Sequence, residues 1–185
     1  MQKVGVNFSC SWAWDTNRHM DIFSHGLYGS ALFGRKSKKR FWTAFLFGIA
    51  PDLFSFGIFT ATVWLGLVSG PDWGAGPPDP SSIPSYVDSL YNITHSLIIF
   101  AFVFLFVWAI RKKPMWEMCA WGFHIILDIF THGLAFFPTP FLWPLLDYKF
   151  AGISWGTPII FIPNVLILLA LYGYWGYQRR KRSPA

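Results

Sequence analysis

Three side chains that can bind a metal ion or move a proton recur at intervals of four residues. His124, Asp128 and His132 lie in an otherwise apolar segment, residues 114–137. Positions four apart share one face of an α-helix, so these residues form a single polar stripe. A charged side chain at membrane depth costs ~2.5–3.5 kcal/mol on insertion scales, and such groups indicate a functional site with partners nearby. The sequence therefore predicts that other segments supply those partners.

Ionisable residues in the other apolar segments are the candidate partners. Counting ~1.5 Å per helical residue from the basic loops places them in one slab with His124 and Asp128, less than about 10 Å thick. The same count puts His132 at about 27 Å, nearer the opposite surface. Imidazole nitrogens and carboxylate oxygens are ligands of zinc-type ions. The predicted metal site consists of His25, Asp52, His95, His124 and Asp128, with Asp21 and His132 as candidate supporting residues outside the ligand set.

Composition indicates one membrane-embedded domain. Of the 185 residues, 54% are hydrophobic and only 13% are charged, whereas soluble domains are roughly 25% charged. The net charge of +6 comes from short clusters between apolar runs, which is typical of topology signals rather than of a nucleic-acid surface. The two cysteines, Cys10 and Cys119, provide no disulfide framework and no CxxC zinc pattern.

Apolar segments predict an all-α, polytopic membrane helical bundle. Four are long enough to cross a bilayer, which takes ~20 helical residues. A shorter run, residues 20–33, predicts an interfacial or re-entrant helix, and Pro51 predicts a kink in the first span. The four predicted transmembrane helices are residues 41–68, 87–110, 114–137 and 157–177.

Basic residues predict the orientation of these spans. Loop 35–40 has five Lys or Arg, turn 111–113 has three and tail 179–182 has four, whereas loop 70–86 has none and loop 138–156 has one. Basic loops stay in the cytoplasm, so we expect loop 35–40, turn 111–113 and tail 179–182 on the cytoplasmic side of a cell (inner) membrane. The expected organisation is an extension over 1–19, one membrane-embedded domain over 20–178, and a basic cytoplasmic tail over 179–185.

Five short motifs occur in a fixed order along the chain. They are Met20-Asp21-x2-Ser24-His25-Gly26, Pro51-Asp52, Tyr91-Asn92-Ile93-Thr94-His95-Ser96-Leu97, His124-x3-Asp128-x2-Thr131-His132, and Phe141-Leu142-Trp143-Pro144-Leu145 with Asp147. Over most of residues 20–150 the chain resembles the membrane-bound, predicted metal-dependent hydrolases of bacterial and archaeal inner membranes. It differs at Tyr91 and Asn92, near which many members carry an arginine. Since the resemblance begins at a methionine, we expect the natural start at Met20.

The resemblance implies a metal-dependent hydrolase, and a second, more distant similarity adds ligand roles. The His and Asp motifs are also similar to those of zinc-dependent phospholipase C, a soluble all-helical enzyme. That similarity implies that one metal is held by Asp52, His95, His124 and Asp128. It also implies that His25 and Asp128 help to hold a second ion.

Structural roles are the alternatives for these residues. Asp52 could cap a helix that restarts after the preceding proline, and Asp21 could be a helix N-cap. His95 could be a hydrogen-bonded interior histidine. His124 and Asp128 could form a structural pair between helices.

The predicted function is that of a membrane-embedded hydrolase with one or two divalent ions, zinc being the expected metal. Asp52 or Asp128 would act as the base or as a bridging ligand. The expected substrate is a phosphoester or another lipid-derived molecule, with membrane lipid as the surrounding partner and no nucleic acid. The alternatives are a non-enzymatic membrane protein with a structural metal or polar cluster, and a small transporter that uses the His/Asp chain as a path.

Overall fold

The chain is described by a computed structural model that covers residues 22–71 and 78–182. All regular structure in these two ranges is helical, which confirms the all-α prediction. Met20 and Asp21, in the predicted first motif, lie outside the described residues. The α-helices are α1 (Ile22–Phe33), α2 (Lys38–Asp52), α3 (Ile58–Trp64), α4 (Ser85–Thr94), α5 (Leu97–Arg111), α6 (Cys119–Thr131) and α7 (Pro158–Arg182).

Helix α6 lies at the centre and packs against α1, α2 and α5. Small residues let these helices approach closely, as is common between membrane helices. A Cβ added at Gly29 of α1 would lie 2.7 Å from the Cβ of Ala120, and one added at Gly48 of α2 would lie 2.6 Å from the carbonyl oxygen of His25. The close packing of α1, α2 and α6 brings their polar side chains together.

Within residues 22–71 and 78–182, two helical segments are long and apolar enough to cross a membrane. One runs over Lys38–Trp64 and the other over Pro158–Lys181. A third span is available if α4 and α5, which bend by 59° at their junction, are counted as one. No residue of α5 is buried, and large apolar side chains such as Trp64, 87% exposed, face outward. These surfaces fit a lipid environment.

Four spans are not confirmed. The predicted third span, residues 114–137, contains a helix of only 13 residues, about 20 Å long at 1.5 Å per residue. It ends at Thr131, and the next residue, His132, adopts an extended backbone conformation. The predicted second span, residues 87–110, is interrupted at His95 and Ser96 rather than being one helix.

The distortion predicted at Pro51 takes the form of a π-helical turn. Residues Leu53–Gly57 form this turn between α2 and α3, and the Ser55 hydroxyl donates to the Pro51 carbonyl at 2.8 Å. Proline removes a backbone donor from α2, and π-helical turns are rare and occur frequently at functional sites. The turn directly follows Asp52, the last residue of α2.

The basic segments gather at one end of the bundle. Arg40 pairs with Glu117 at 3.2 Å, which places loop 35–40 beside the segment that follows turn 111–113. Phe41 stacks on Trp175 with ring centroids 5.9 Å apart, which brings the basic end of α7 to the same region. The three basic segments thus lie at the same end of the bundle, which agrees with the predicted topology. The assignment of this end to the cytoplasm stays a prediction.

Candidate metal centre

Four predicted ligands form a compact, buried cluster. Each offers one nitrogen or oxygen atom, and these atoms all lie within 4.8 Å of one another. The side chains are 0–5% exposed. They come from the end of α2 (Asp52), the end of α4 (His95) and the buried face of α6 (His124 and Asp128). The cluster could therefore hold a metal ion.

Hydrogen bonds at the outer nitrogens fix the tautomers of the two histidines. Nδ1 of His124 lies 2.7 Å from the carbonyl oxygen of Gly48. Nδ1 of His95 lies 3.2 Å from the carbonyl oxygen of Tyr91 and 3.0 Å from the hydroxyl of Thr94. Because a carbonyl oxygen only accepts, both Nδ1 atoms donate, and in the neutral rings both Nε2 atoms carry lone pairs. Such an outer hydrogen bond is the usual way to orient a metal-binding histidine.

The lone pairs of the two imidazoles face each other and face two carboxylates. The Nε2 atoms of His95 and His124 are 3.1 Å apart. Oδ2 of Asp128 lies 3.0 Å from Nε2 of His124 and 3.4 Å from Nε2 of His95. Oδ1 of Asp52 lies 3.7 Å from Nε2 of His124 and 3.4 Å from Nε2 of His95. In a tetrahedral zinc site with bonds of ~2.0–2.1 Å, neighbouring ligand atoms are about 3.3–3.4 Å apart. The five separations that involve a histidine, 3.0–3.7 Å, bracket this value.

The buried negative charge of the two aspartates also favours a bound cation. Oδ1 of Asp52 and both carboxylate oxygens of Asp128 are buried and accept no hydrogen bond of normal geometry. A buried carboxylate without compensation costs several kcal/mol by order of magnitude. A divalent cation among four acceptor atoms supplies that compensation, so the donor set suits a His/Asp metal site.

The second oxygen of Asp128 faces the other two histidines. Oδ1 lies 3.2 Å from Nε2 of His25 and 3.7 Å from Nδ1 of His132. His132 directly follows the last residue of α6 and is four positions after Asp128. Its expected position nearer the opposite membrane surface stays a prediction. His25 lies outside the four-atom group, and its role as a ligand stays a prediction.

Other sequence alternatives can be placed on the structure. Asp52 makes no capping hydrogen bond with its side chain, so its alternative role as a helix cap is not found. His95 directly follows α4, and its Nδ1 and Nε2 both have polar partners. Its alternative role as a hydrogen-bonded interior histidine therefore stays open. Asp21 lies outside the described residues, and its role as cap or supporting residue stays a prediction.

Several contributors to the cluster carry no obvious sequence signal. The Tyr91 ring stacks on His95 with centroids 3.9 Å apart, and the Trp155 ring meets His25 edge-on at 5.3 Å. Gly48 supplies the carbonyl that orients His124. With 21% aromatic residues, no single ring stands out. The break at His95 had a signal, since Ser96 precedes an apolar run and is an N-cap residue type.

Fold and cluster together define a helical membrane protein with a buried group of histidines and aspartates. A family model described as YdjM inner membrane protein matches residues 20–185, and the chain belongs to that family. No curated protein and no solved structure matches the chain. The family and the apolar helices support the predicted membrane location. The resemblances to metal-dependent hydrolases and to zinc-dependent phospholipase C gain no support from the comparisons.

Proposed function

We propose that the protein is a membrane-embedded, metal-dependent hydrolase. The observation that carries the proposal is the convergence of four ligand atoms, from Asp52, His95, His124 and Asp128, all of which are acceptors when both imidazoles are neutral. These residues would hold one divalent ion, with zinc expected from the nitrogen and oxygen donors. His25 and the second oxygen of Asp128 are positioned to contribute to a second ion. When bound, such an ion activates water and polarises the oxygen of an ester.

The two carboxylates have different tasks in this proposal. Asp128 is completely buried and faces histidines with both oxygens, so it acts as the ligand that connects the two sides of the cluster. Asp52, the last residue of α2, is 5% exposed whereas Asp128 is 0% exposed, so Asp52 is the carboxylate that this proposal assigns to the entering water. It accepts the proton of the attacking water. The ester bond to the leaving alcohol breaks as the new bond to oxygen forms, and the proton passes to that alcohol.

The position of the cluster suggests the substrate class. Its residues come from helices whose outer surfaces are apolar, and the basic residues lie at one end of the bundle. A water-soluble substrate would have to leave water to approach such a site. A lipid-derived or lipid-soluble phosphoester is therefore the proposed substrate, with membrane lipid as the partner that surrounds the protein.

The metal content of the purified protein tests this proposal. The full chain is extracted in mild detergent without chelators, and bound metals are measured by elemental analysis. We expect one or two divalent ions per chain in wild type and in Asp88→Ala, which removes an exposed aspartate of α4, and loss of metal in Asp128→Ala. Phosphate release from a membrane lipid extract should then depend on the metal. Metal-free wild type would overturn the proposal.

A structural metal or polar cluster is the second candidate function. Complete burial of His95, His124 and Asp128 favours it, because a catalytic centre must admit substrate. In that case Asp128→Ala unfolds at lower temperature but no lipid phosphoester is hydrolysed, and wild type holds metal only if the cluster is a structural metal site. The same preparation therefore separates the two candidates.

A further inference from the structure

The backbone around Trp155 is fixed against the end of α6. Gly152 donates to the carbonyl of His132 at 2.9 Å, Ile153 to that of Phe130 at 2.9 Å, and Trp155 to that of Thr131 at 3.1 Å. A Cβ added at Gly152 would lie 2.5 Å from the Phe130 carbonyl oxygen, so the approach needs glycine. The loop after α6 thus returns along the helix end and holds the Trp155 side chain next to His25.

The indole of Trp155 has a polar atom without a partner. The side chain is 5% exposed, and its Nε1 is buried with no hydrogen-bond acceptor. An indole N–H only donates and does not ionise, and leaving it buried and unpaired is unfavourable. Trp121 shows the usual solution, because its Nε1 donates to the Thr94 carbonyl at 2.6 Å. Trp155 therefore lacks an acceptor.

Trp155 is one side chain away from the cluster. Its ring meets the His25 ring edge-on, with centroids 5.3 Å apart and an angle of 77°. The His25 ring in turn lies 4.0 Å from that of His124, and its Nε2 contacts Asp128. The His25 ring therefore connects the indole of Trp155 to the cluster.

Cationic side chains do not serve the cluster within the described residues. The ion pairs of lysine and arginine there join Arg40 to Glu117 and Lys149 to Asp147. An anionic oxygen at the centre would thus depend on the metal and on neutral donors. Among the side chains around His25, the indole of Trp155 is a donor that is not itself a prospective metal ligand.

We infer that the Trp155 indole N–H binds a phosphoryl oxygen of the substrate at the metal centre. The inference rests on the proposed function and names one of its substrate contacts. Trp155 orients the phosphoryl group without holding the metal. Removing its N–H should weaken binding of an oxyanion while leaving metal content unchanged.

Cobalt-substituted protein provides a direct test. The full chain is loaded with Co²⁺ in detergent, and inorganic phosphate is titrated while visible absorption of the bound ion is recorded. Wild type is compared with Trp155→Phe and Trp155→Leu, two donor-free variants of different shape. Trp116→Phe, at a 57% exposed position, is the matched control.

The expected result is equal cobalt content in all four proteins and phosphate binding about 10-fold weaker in both Trp155 variants, the size typical of one hydrogen bond to a charged group. Unchanged phosphate affinity in both variants would overturn the inference and leave the metal centre standing. So would loss of cobalt in both variants, or a wild-type cobalt spectrum that phosphate does not change. Wild type that binds no cobalt would overturn the proposed function as well.

Discussion

The Nε2 atoms of His95 and His124 face each other at 3.1 Å, while each Nδ1 points at a backbone carbonyl oxygen. With both protons on the outer nitrogens, neither inner nitrogen can donate to the other. Two carboxylate oxygens at 3.0–3.7 Å complete a set of acceptors. A bound cation removes the mutual repulsion of these atoms, so stability of the fold should be linked to metal.

Metal removal should therefore lower the thermal stability of the wild-type protein. A ligand present at 1,000 times its dissociation constant stabilises the folded state by about 4 kcal/mol. We expect a chelator to lower the unfolding temperature in detergent by several degrees, and added zinc to restore it. Asp128→Ala serves as the control, because it lacks the site and should not respond to chelator. Equal responses in both proteins would contradict a metal at this position.

Replacing Ser96, at the start of α5, should destabilise the fold more than replacing Ser37, at the start of α2. Ser96 accepts from the backbone N–H groups of Ile98 and Ile99, and its hydroxyl donates to the Trp143 carbonyl. Ser37 makes one exposed capping bond, from Arg40.

We expect Ser37→Ala to cost about 1 kcal/mol or less, and Ser96→Ala about 2 kcal/mol or more because an additional buried hydrogen bond is lost. Chemical or thermal unfolding of the two variants measures the difference. Ser96→Ala should also weaken metal binding, since His95 is the adjacent residue. Equal losses of stability would show that the contact with Trp143 contributes nothing.

The set of buried polar residues could be predicted from the sequence because depth in a helix follows from the residue count. Helices rise by a constant step, so residues at equal distances from the basic loops reach equal depth. His25, Asp52, His95, His124 and Asp128 meet in the structure as this count predicted. Their roles as ligands or catalytic residues stay predictions.

Helix boundaries were harder to predict, and the reason is physical. A membrane interior selects apolar side chains whether the backbone continues or breaks, so the runs 87–110 and 114–137 look uniform. Local signals decide the ends instead. Ser96 caps a new helix directly after His95, and Gly133 follows the last turn of α6. These signals were present but are weaker than the apolar pattern.

Gly48 allows the close crossing of α1 and α2, and its replacement should disturb the site. A Cβ there would lie 2.6 Å from the His25 carbonyl oxygen and 3.0 Å from the Gly26 Cα. Because these are backbone atoms, one helix must move. We expect Gly48→Ala to cost about 1–3 kcal/mol of stability and to reduce metal affinity, since its own carbonyl orients His124.

Gly173 on α7 is the matched control for Gly48. A Cβ there meets nothing within 4 Å, and alanine is favoured over glycine inside a helix by about 0.5–1 kcal/mol. Gly173→Ala should therefore leave metal binding unchanged and slightly raise the unfolding temperature. Metal content and thermal unfolding of both variants check the contrast. A Gly48→Ala protein that behaves like Gly173→Ala would show that the crossing can widen without effect on the cluster.

Tyr91 should influence stability through its hydroxyl and the metal centre through its ring. The hydroxyl donates to the buried Phe137 carbonyl at 2.8 Å, and the ring stacks on His95 with centroids 3.9 Å apart. Tyr91→Phe keeps the ring but leaves that carbonyl without its donor, which costs about 1–3 kcal/mol. Tyr91→Leu also removes the flat surface that holds the His95 ring.

The two substitutions should separate in a metal titration. We expect Tyr91→Phe to unfold at lower temperature with wild-type metal content, because His95 keeps its stacking partner and its hydrogen bond to the Tyr91 carbonyl. Tyr91→Leu should bind the metal more weakly, because the His95 ring could then rotate away from the orientation that metal binding needs. If both variants retain the metal with equal affinity, the backbone hydrogen bond alone is enough to orient His95.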